Sequence, residues 1–266
     1  MGARLPIRRS RAARAGRAAG ALSLPVLVLT GLGHRFGMVP DEAMLPLLIA
    51  GFGLAAAALV LGLAASVVIW RSGDEGAGDA FAGLLYAAPA LAVLALVIYA
   101  LFAYPRLNDV TTDAVDPPQF WSIETGAPDA IPPGQAELQH AAYPQVAARL
   151  YPLEIARVYD AALATARQRG WQITLEIPPA EPDSVAKVEG IERTLLFAFR
   201  DAVAVRIAST GEGTRIDMRS ISLTGEHDLG QNARRIQSFL NELDARLQGE
   251  LEGEEGEEPP QEAPGS

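Results

Sequence analysis

Residues 44–70 read MLPLLIAGFGLAAAALVLGLAASVVIW, from Met44 to Trp70, with no charged side chain. As a helix rising ~1.5 Å per residue this run is about 40 Å long, enough to cross a hydrocarbon core of ~30 Å with some tilt. Residues 80–104 are equally free of charge, with Pro89 as a local kink that neighbouring helices can accommodate. Trp70, Tyr99 and Tyr104 stand where interfacial aromatics belong. A weaker run covers residues 20–39, interrupted by Pro25 and by His34-Arg35, of which Arg35 can snorkel to the interface. Three transmembrane helices are therefore expected between residues 19 and 104, in preference to two, which would leave the C-terminal part in the cytoplasm. Gly33 and Gly37 are either a small-xxx-small packing pair or, the simpler reading, a helix end.

Charge is segregated outside these runs. Residues 1–40 hold seven arginines and no acid, whereas residues 249–266 hold seven glutamates and no base. The first stretch, 1–18, reads as a basic cytoplasmic tail that fixes the N-terminus inside by the positive-inside rule. Nucleic acid is not expected as a partner, since no aromatics interleave with the arginines. An odd number of spans then carries the C-terminal part to the periplasmic side of a bacterial inner (cytoplasmic) membrane. The expected partners are the lipid bilayer and an envelope protein or lipid. The last stretch, 249–266, has too little apolar surface to fold and reads as a disordered acidic tail.

Between these lies a soluble domain, residues 105–248. The prolines at 117, 118, 128, 132, 133 and 144 keep its first part extended or looped. Pro152 opens a helix with Ile155, Val158, Ala162 and Ala166 on one face, and Gly170 closes it. Residues 171–177 alternate as a strand. Residues 188–199 read as a second strand, Arg200-Asp201 as a tight turn, and 202–208 as a third strand. A two-residue II′ turn at Gly211-Glu212 leads into a fourth, 214–223. That turn pairs Val205 with Met218 and Ile207 with Ile216 on one face, and Arg206 with Asp217 on the other, beside Arg215 and Arg219. The polar face reads as solvated, with weak salt bridges, the alternative being an anion or headgroup site. Asp228 caps a final helix whose stripe is Leu229, Ala233, Ile236, Leu240, Leu243 and Leu247. The fold class is thus α+β: three membrane helices, then a four-stranded antiparallel sheet with two flanking helices.

Several catalytic classes lack their signatures. With no cysteine and three scattered histidines, thiol chemistry and a metal cluster are not expected. Phosphate-loop and dinucleotide glycine patterns are absent, so no cofactor is expected. Ser220, Ser222 and His227 have no nucleophile-elbow context. What stands out is a polar set. Asn108, Asp109, Thr111, Thr112 and Asp113 follow the last span, and could line a site or simply make turn and strand-end hydrogen bonds. Arg206, Asp217 and Arg219 lie on the hairpin face. Asp228, Asn232 and Arg235 share one face of the last helix.

Two stretches carry a resemblance. Residues 106–113, with Asn108, Asp109, Thr111, Thr112 and Asp113, followed by Asp116-Pro117-Pro118 and Phe120, form one. Ile191-Glu192, residues 199–206, Asp217 to Ser220 and residues 228–236 form the other. Together they resemble the domain of unknown function 1499 family over about residues 106–245. Arg200 stands where that family more often has an acid. The resemblance implies N-terminal spans and supplies no activity. The expected function is an integral membrane protein presenting a non-catalytic binding domain. The alternatives are an envelope- or lipid-acting enzyme using the polar cluster, and a carrier of a small hydrophobic ligand.

Overall fold

The computed structural model describes residues 8–181, 184–195 and 197–256, with side chains up to residue 249. The chain divides into two compact units. Among the described residues, one comprises those within 1–103 and 195–198, and the other those within 104–194 and 199–256.

The first unit contains α1 (Arg11–Arg35), α2 (Asp41–Ser72) and α3 (Ala77–Ala103), all three long and apolar enough to cross a membrane. α1 starts at Arg11, inside the stretch expected to be a tail. The Ser10 hydroxyl accepts from Ala13 N (3.2 Å), supplying the N-cap that periodicity alone did not locate. Each helix touches the other two. Glycine makes this approach possible. A Cβ on Gly20 would lie 2.4 Å from Gly83 O, and one on Gly83 would lie 2.8 Å from Arg17 N. The Gly33/Gly37 pair does not take this role. Gly37 lies beyond α1 at φ +73° with open space around it, and so marks a chain turn. Arg17 Nη1 donates to Asp79 Oδ1 (2.8 Å) across α1 and α3. Leu29, Val60, Phe81 and Leu96 leave more than 60% of their surface uncovered by protein, as lipid-facing residues do.

The second unit is one antiparallel sheet of six strands, not four. Its strands are β1 (Asp109–Thr111), β2 (Arg149–Tyr151), β3 (Gln172–Ile177), β4 (Val185–Arg193), β5 (Arg200–Thr210) and β6 (Gly213–Ser222). The order is β1-β6-β5-β4-β3, with β2 also pairing with β6. β1 and β2 are too short, at three residues each, for any alternation to show in sequence. A further helix, α4 (Pro133–Ala142), begins at a proline suited to a first turn. α5 (Ile155–Gln168) and α6 (Gln231–Gly256) pack on the sheet. α6 runs through residues 249–256, expected to be unstructured; the rest of the acidic tail, 257–266, lies outside the described residues.

The β5–β6 register matches the pattern argument: Val205 opposite Met218, Arg206 opposite Asp217, Ile207 opposite Ile216 and Thr210 opposite Gly213. The turn itself is not II′, because the positive φ is at Gly213 (+132°) and not at Gly211. Gly213 is demanded by space as well, since a Cβ there would sit 2.1 Å from Tyr151 O on β2. Arg200-Asp201 is not a turn. β4 ends at Arg193, the reversal spans 194–199, and both residues open β5. The apolar run at 195–199 mimicked a strand, yet Ala198 takes φ +56° and Thr194 N donates to Phe199 O (2.9 Å).

One face of the sheet carries Val188, Val203, Val205, Ile207, Ile216 and Met218 into the core against α5 and α6. From α6, Ala233, Ile236, Leu240, Leu243 and Leu247 join it as expected, while Leu229 stays outside the helix at φ +55°. Phe239 joins too, stacked on Trp171 with centroids 5.0 Å apart. Tyr143 sits in this core with its hydroxyl buried and unpartnered among the described residues. Burial pushes its pKa from 10.0 up to about 12. The folded state therefore holds this proton longer than the unfolded chain, and the stability so contributed is present below pH 10 and lost as pH rises through about 12. Tyr143→Phe is expected to leave neutral-pH stability unchanged or raise it by up to about 1 kcal/mol, because an unsatisfied polar group is removed. Urea titrations at pH 7 and across pH 10–12 should show the variant less sensitive to alkali than the parent.

Candidate functional site

Alternation along β1, β5 and β6 sends neighbouring residues to opposite faces of the sheet. The polar set picked out in sequence is therefore split in two. Asp109, Asp113, Arg206, Asp217 and Arg219, joined by Thr112, gather on the face away from α5 and α6. Asp228, Asn232 and Arg235, with Asn108, gather at the α6 side.

On the first face Arg219 is wholly buried. Its Nε and Nη2 donate to the two oxygens of Asp109 on β1 (3.0 and 2.7 Å), and Nη2 also donates to Pro128 O (2.9 Å). Nη1 finds no partner among the described residues, and the Phe120 ring lies 5.7 Å from the guanidinium carbon. Asp217, also buried, accepts from Arg206 Nη2 (3.2 Å), from Arg215 Nε and Nη2 (2.8 and 2.9 Å) and from Thr112 Oγ1 (3.2 Å). Asp113 accepts from Arg206 (3.3 Å) and Arg215 (3.1 Å) and turns the chain by accepting from Val115 N and Asp116 N. The expectation of a solvated polar face is therefore overturned. Residues 112–131 fold back over it, and the stiff Pro117-Pro118 pair is itself buried.

Thr111 points its hydroxyl to Asp113 O and Met218 O, so it is a strand-end hydrogen bond. Its backbone is gripped by Gln139 of α4. Thr111 N donates to Gln139 Oε1 (3.0 Å), and Gln139 Nε2 donates to Thr111 O (2.7 Å). The amide thus completes the outer edge of β1 as a strand would.

On the second face Asp201 of β5 and Arg235 of α6 form a buried ion pair. Arg235 Nη1 also reaches Asn232 Oδ1 (2.7 Å) and Ser220 Oγ (3.0 Å). Asn232 Nδ2 donates to Asn108 O (2.9 Å) and Ser222 Oγ (3.1 Å), while Asn108 Nδ2 donates to Gly225 O (3.1 Å). Asp228 accepts from Gly230 N (2.8 Å) and Asn232 N (2.7 Å), the capping role its position implies. Burial raises the carboxyls of Asp201 and Asp228 above the ordinary range. Arg235 pulls Asp201 back, and the backbone donors of Asn232 and Gly230 pull Asp228 back. Ser220 and Ser222 serve this network, and His227 Nδ1 accepts from Leu229 N, so these side chains are occupied as hydrogen-bond partners in the loop and helix start.

Sequence reasoning missed Asp201 and Glu192 as partners of Arg235, Gln139 as the clamp on β1, and Lys187 with Glu189 on β4. Glu189 is nearly fully buried between Val188 and Gly190, and a carboxylate so placed needs donors. It has them in Trp121 N (2.8 Å), Ser122 N (2.9 Å) and Ser122 Oγ (2.6 Å). Among the described residues no group of three or more His, Cys, Asp or Glu is arranged to hold a metal ion.

The molecule is thus of the class that joins a unit of three membrane-competent helices to an α+β unit, whose six-stranded antiparallel sheet carries buried arginine–carboxylate networks on both faces. Residues 109–243, just over half of the chain, match the family described as protein of unknown function (DUF1499). The chain belongs to that family, as its motifs led us to expect. No curated protein shows significant similarity to it.

Proposed function

We propose that the chain is an integral protein of a bacterial inner membrane, with its N-terminus in the cytoplasm, presenting a non-catalytic binding domain to the periplasm. The observation that carries the orientation is an odd number of membrane-competent helices preceded by an arginine-rich, acid-free start. The binding role is supported by the way the polar side chains are engaged. Asp109, Arg219, Asp201, Arg235 and Asp217 are each buried and held by complementary partners. Such groups shape a surface more readily than they exchange protons with a substrate. A paired reporter settles the orientation: alkaline phosphatase fused after Gln248 is active and a fluorescent protein at the same place is dark. A fluorescent fusion with an inactive phosphatase would refute the periplasmic placement.

A further inference from the structure

Lysine occurs once in this chain, at Lys187, against 21 arginines. Its place is specific. It lies on β4 directly opposite Arg206 of β5, on the sheet face covered by residues 112–131. Its Nζ sits 3.2 Å from the centroid of the Trp121 ring. Among the described residues no carboxylate pairs with it and no acceptor takes its hydrogen bonds. It opens on a cavity of about 190 Å³ lined by Pro117, Pro118, Gln119, Trp121, Glu189 and Arg206, with Asp116 at its edge.

The walls are preorganised. Glu189 fixes Trp121 and Ser122 through three hydrogen bonds, and Pro117-Pro118 are stiff and buried. The carboxylates around the cavity already have donors. Glu189 has three, and Asp113 and Asp217 share Arg206 and Arg215. The unfilled capacity is therefore on the donor side, at Lys187. Asp116 is the loosely held member: its side chain is 77% exposed, and it caps Arg206 Nη1 at 2.6 Å. It occupies on Arg206 the position an incoming anion would take.

We propose that this cavity binds a small oxyanion, a phosphate or carboxylate group, bridging Lys187 Nζ and the Arg206 guanidinium as Asp116 swings away. The volume is ample for such a group. Burial holds the Lys187 ammonium below its ordinary pKa, opposed by Glu189, so an anionic guest would stabilise the protonated form it needs. The inference rests on reading the domain as a binding module but not on which side of the membrane it faces.

A single ε-amine makes the test clean. The full chain in detergent micelles is treated with an acetylating N-hydroxysuccinimide ester at constant ionic strength, with inorganic phosphate exchanged for chloride, and modification of Lys187 is followed by mass spectrometry. Saturable protection is expected, and Asp116→Asn should shift half-protection to about tenfold lower phosphate by removing the competing carboxylate. By calorimetry Lys187→Met, which keeps the apolar stem over Trp121, should weaken phosphate binding about tenfold or more. Acetate and a short-chain phosphatidic acid are run alongside: protection by phosphate or acetate identifies a free anion as sufficient, and protection by the lipid alone identifies a headgroup. No protection by any of the three at about 50 mM in either the parent or Asp116→Asn overturns the proposal. Equal phosphate affinity in Lys187→Met does so as well. Either result leaves the reporter outcome for orientation standing, so the two failures are told apart.

Discussion

Arg219→Ala lowers the unfolding free energy of the sheet unit by about 3–5 kcal/mol, the cost of breaking a fully buried ion pair on one side. The parent guanidinium is inaccessible to water and meets Asp109 through two parallel hydrogen bonds. Removing it strands a carboxylate that is only 4% exposed, with no other cation within salt-bridge distance among the described residues. It also frees the Pro128 carbonyl and opens a void under Phe120. Urea unfolding of the full chain, followed by Trp171 fluorescence and far-ultraviolet circular dichroism, measures the loss. The double variant Asp109→Leu/Arg219→Met should recover most of it, because apolar side chains of similar volume need no counterion. A loss below about 1 kcal/mol for the single variant would mean that Asp109 tolerates isolation, and the network would then not be what ties β1 to β6.

Gly83→Val is the second large effect, and it falls on the other unit. The Cβ would collide with backbone atoms of Gly16 and Arg17 at 2.8–2.9 Å, not with a side chain that could rotate away. Helices α1 and α3 must separate, losing contact along their crossing and the Arg17–Asp79 hydrogen bond beside it. Overpacking of this kind costs about 1–3 kcal/mol, and helices in lipid have no hydrophobic drive to re-close the gap. Cysteines placed at Ala13 on α1 and Ala80 on α3, which already carry Cβ atoms and share one packed cluster, should cross-link readily in this otherwise cysteine-free chain and poorly with Gly83→Val. Equal cross-linking in both would show that the close approach is not required.

Much of this architecture could be read from the chain alone, because its strongest signals are periodic. Long charge-free runs define the three helices, and the β5–β6 register follows from keeping Val205, Ile207, Ile216 and Met218 on one side. What could not be read was governed by contacts distant in sequence. β1 is recognisable only because Asp109 meets Arg219, 110 residues later, and Gln139 closes its outer edge. The reversal at 194–199 was hidden because its apolar residues look like strand. The polar set was found residue by residue, yet its division between two faces was not, because only pairing with β6 says which way β1 turns. Lys187 carried a compositional signal, one lysine among arginines, whose meaning needed Trp121 and the covering segment beside it.

The side-chain amide of Gln139 has a consequence for how this sheet meets other chains. By taking both the N–H and the C=O of Thr111, it makes that flank of the barrier-like β layer unreceptive to strand addition. On the opposite flank β3 bonds only to β4, and no described strand takes its outer row of amides. A visiting extended peptide could therefore zip on alongside Gln172–Ile177, the longest open edge among the described strands, where the proline pair that follows limits how far it could run.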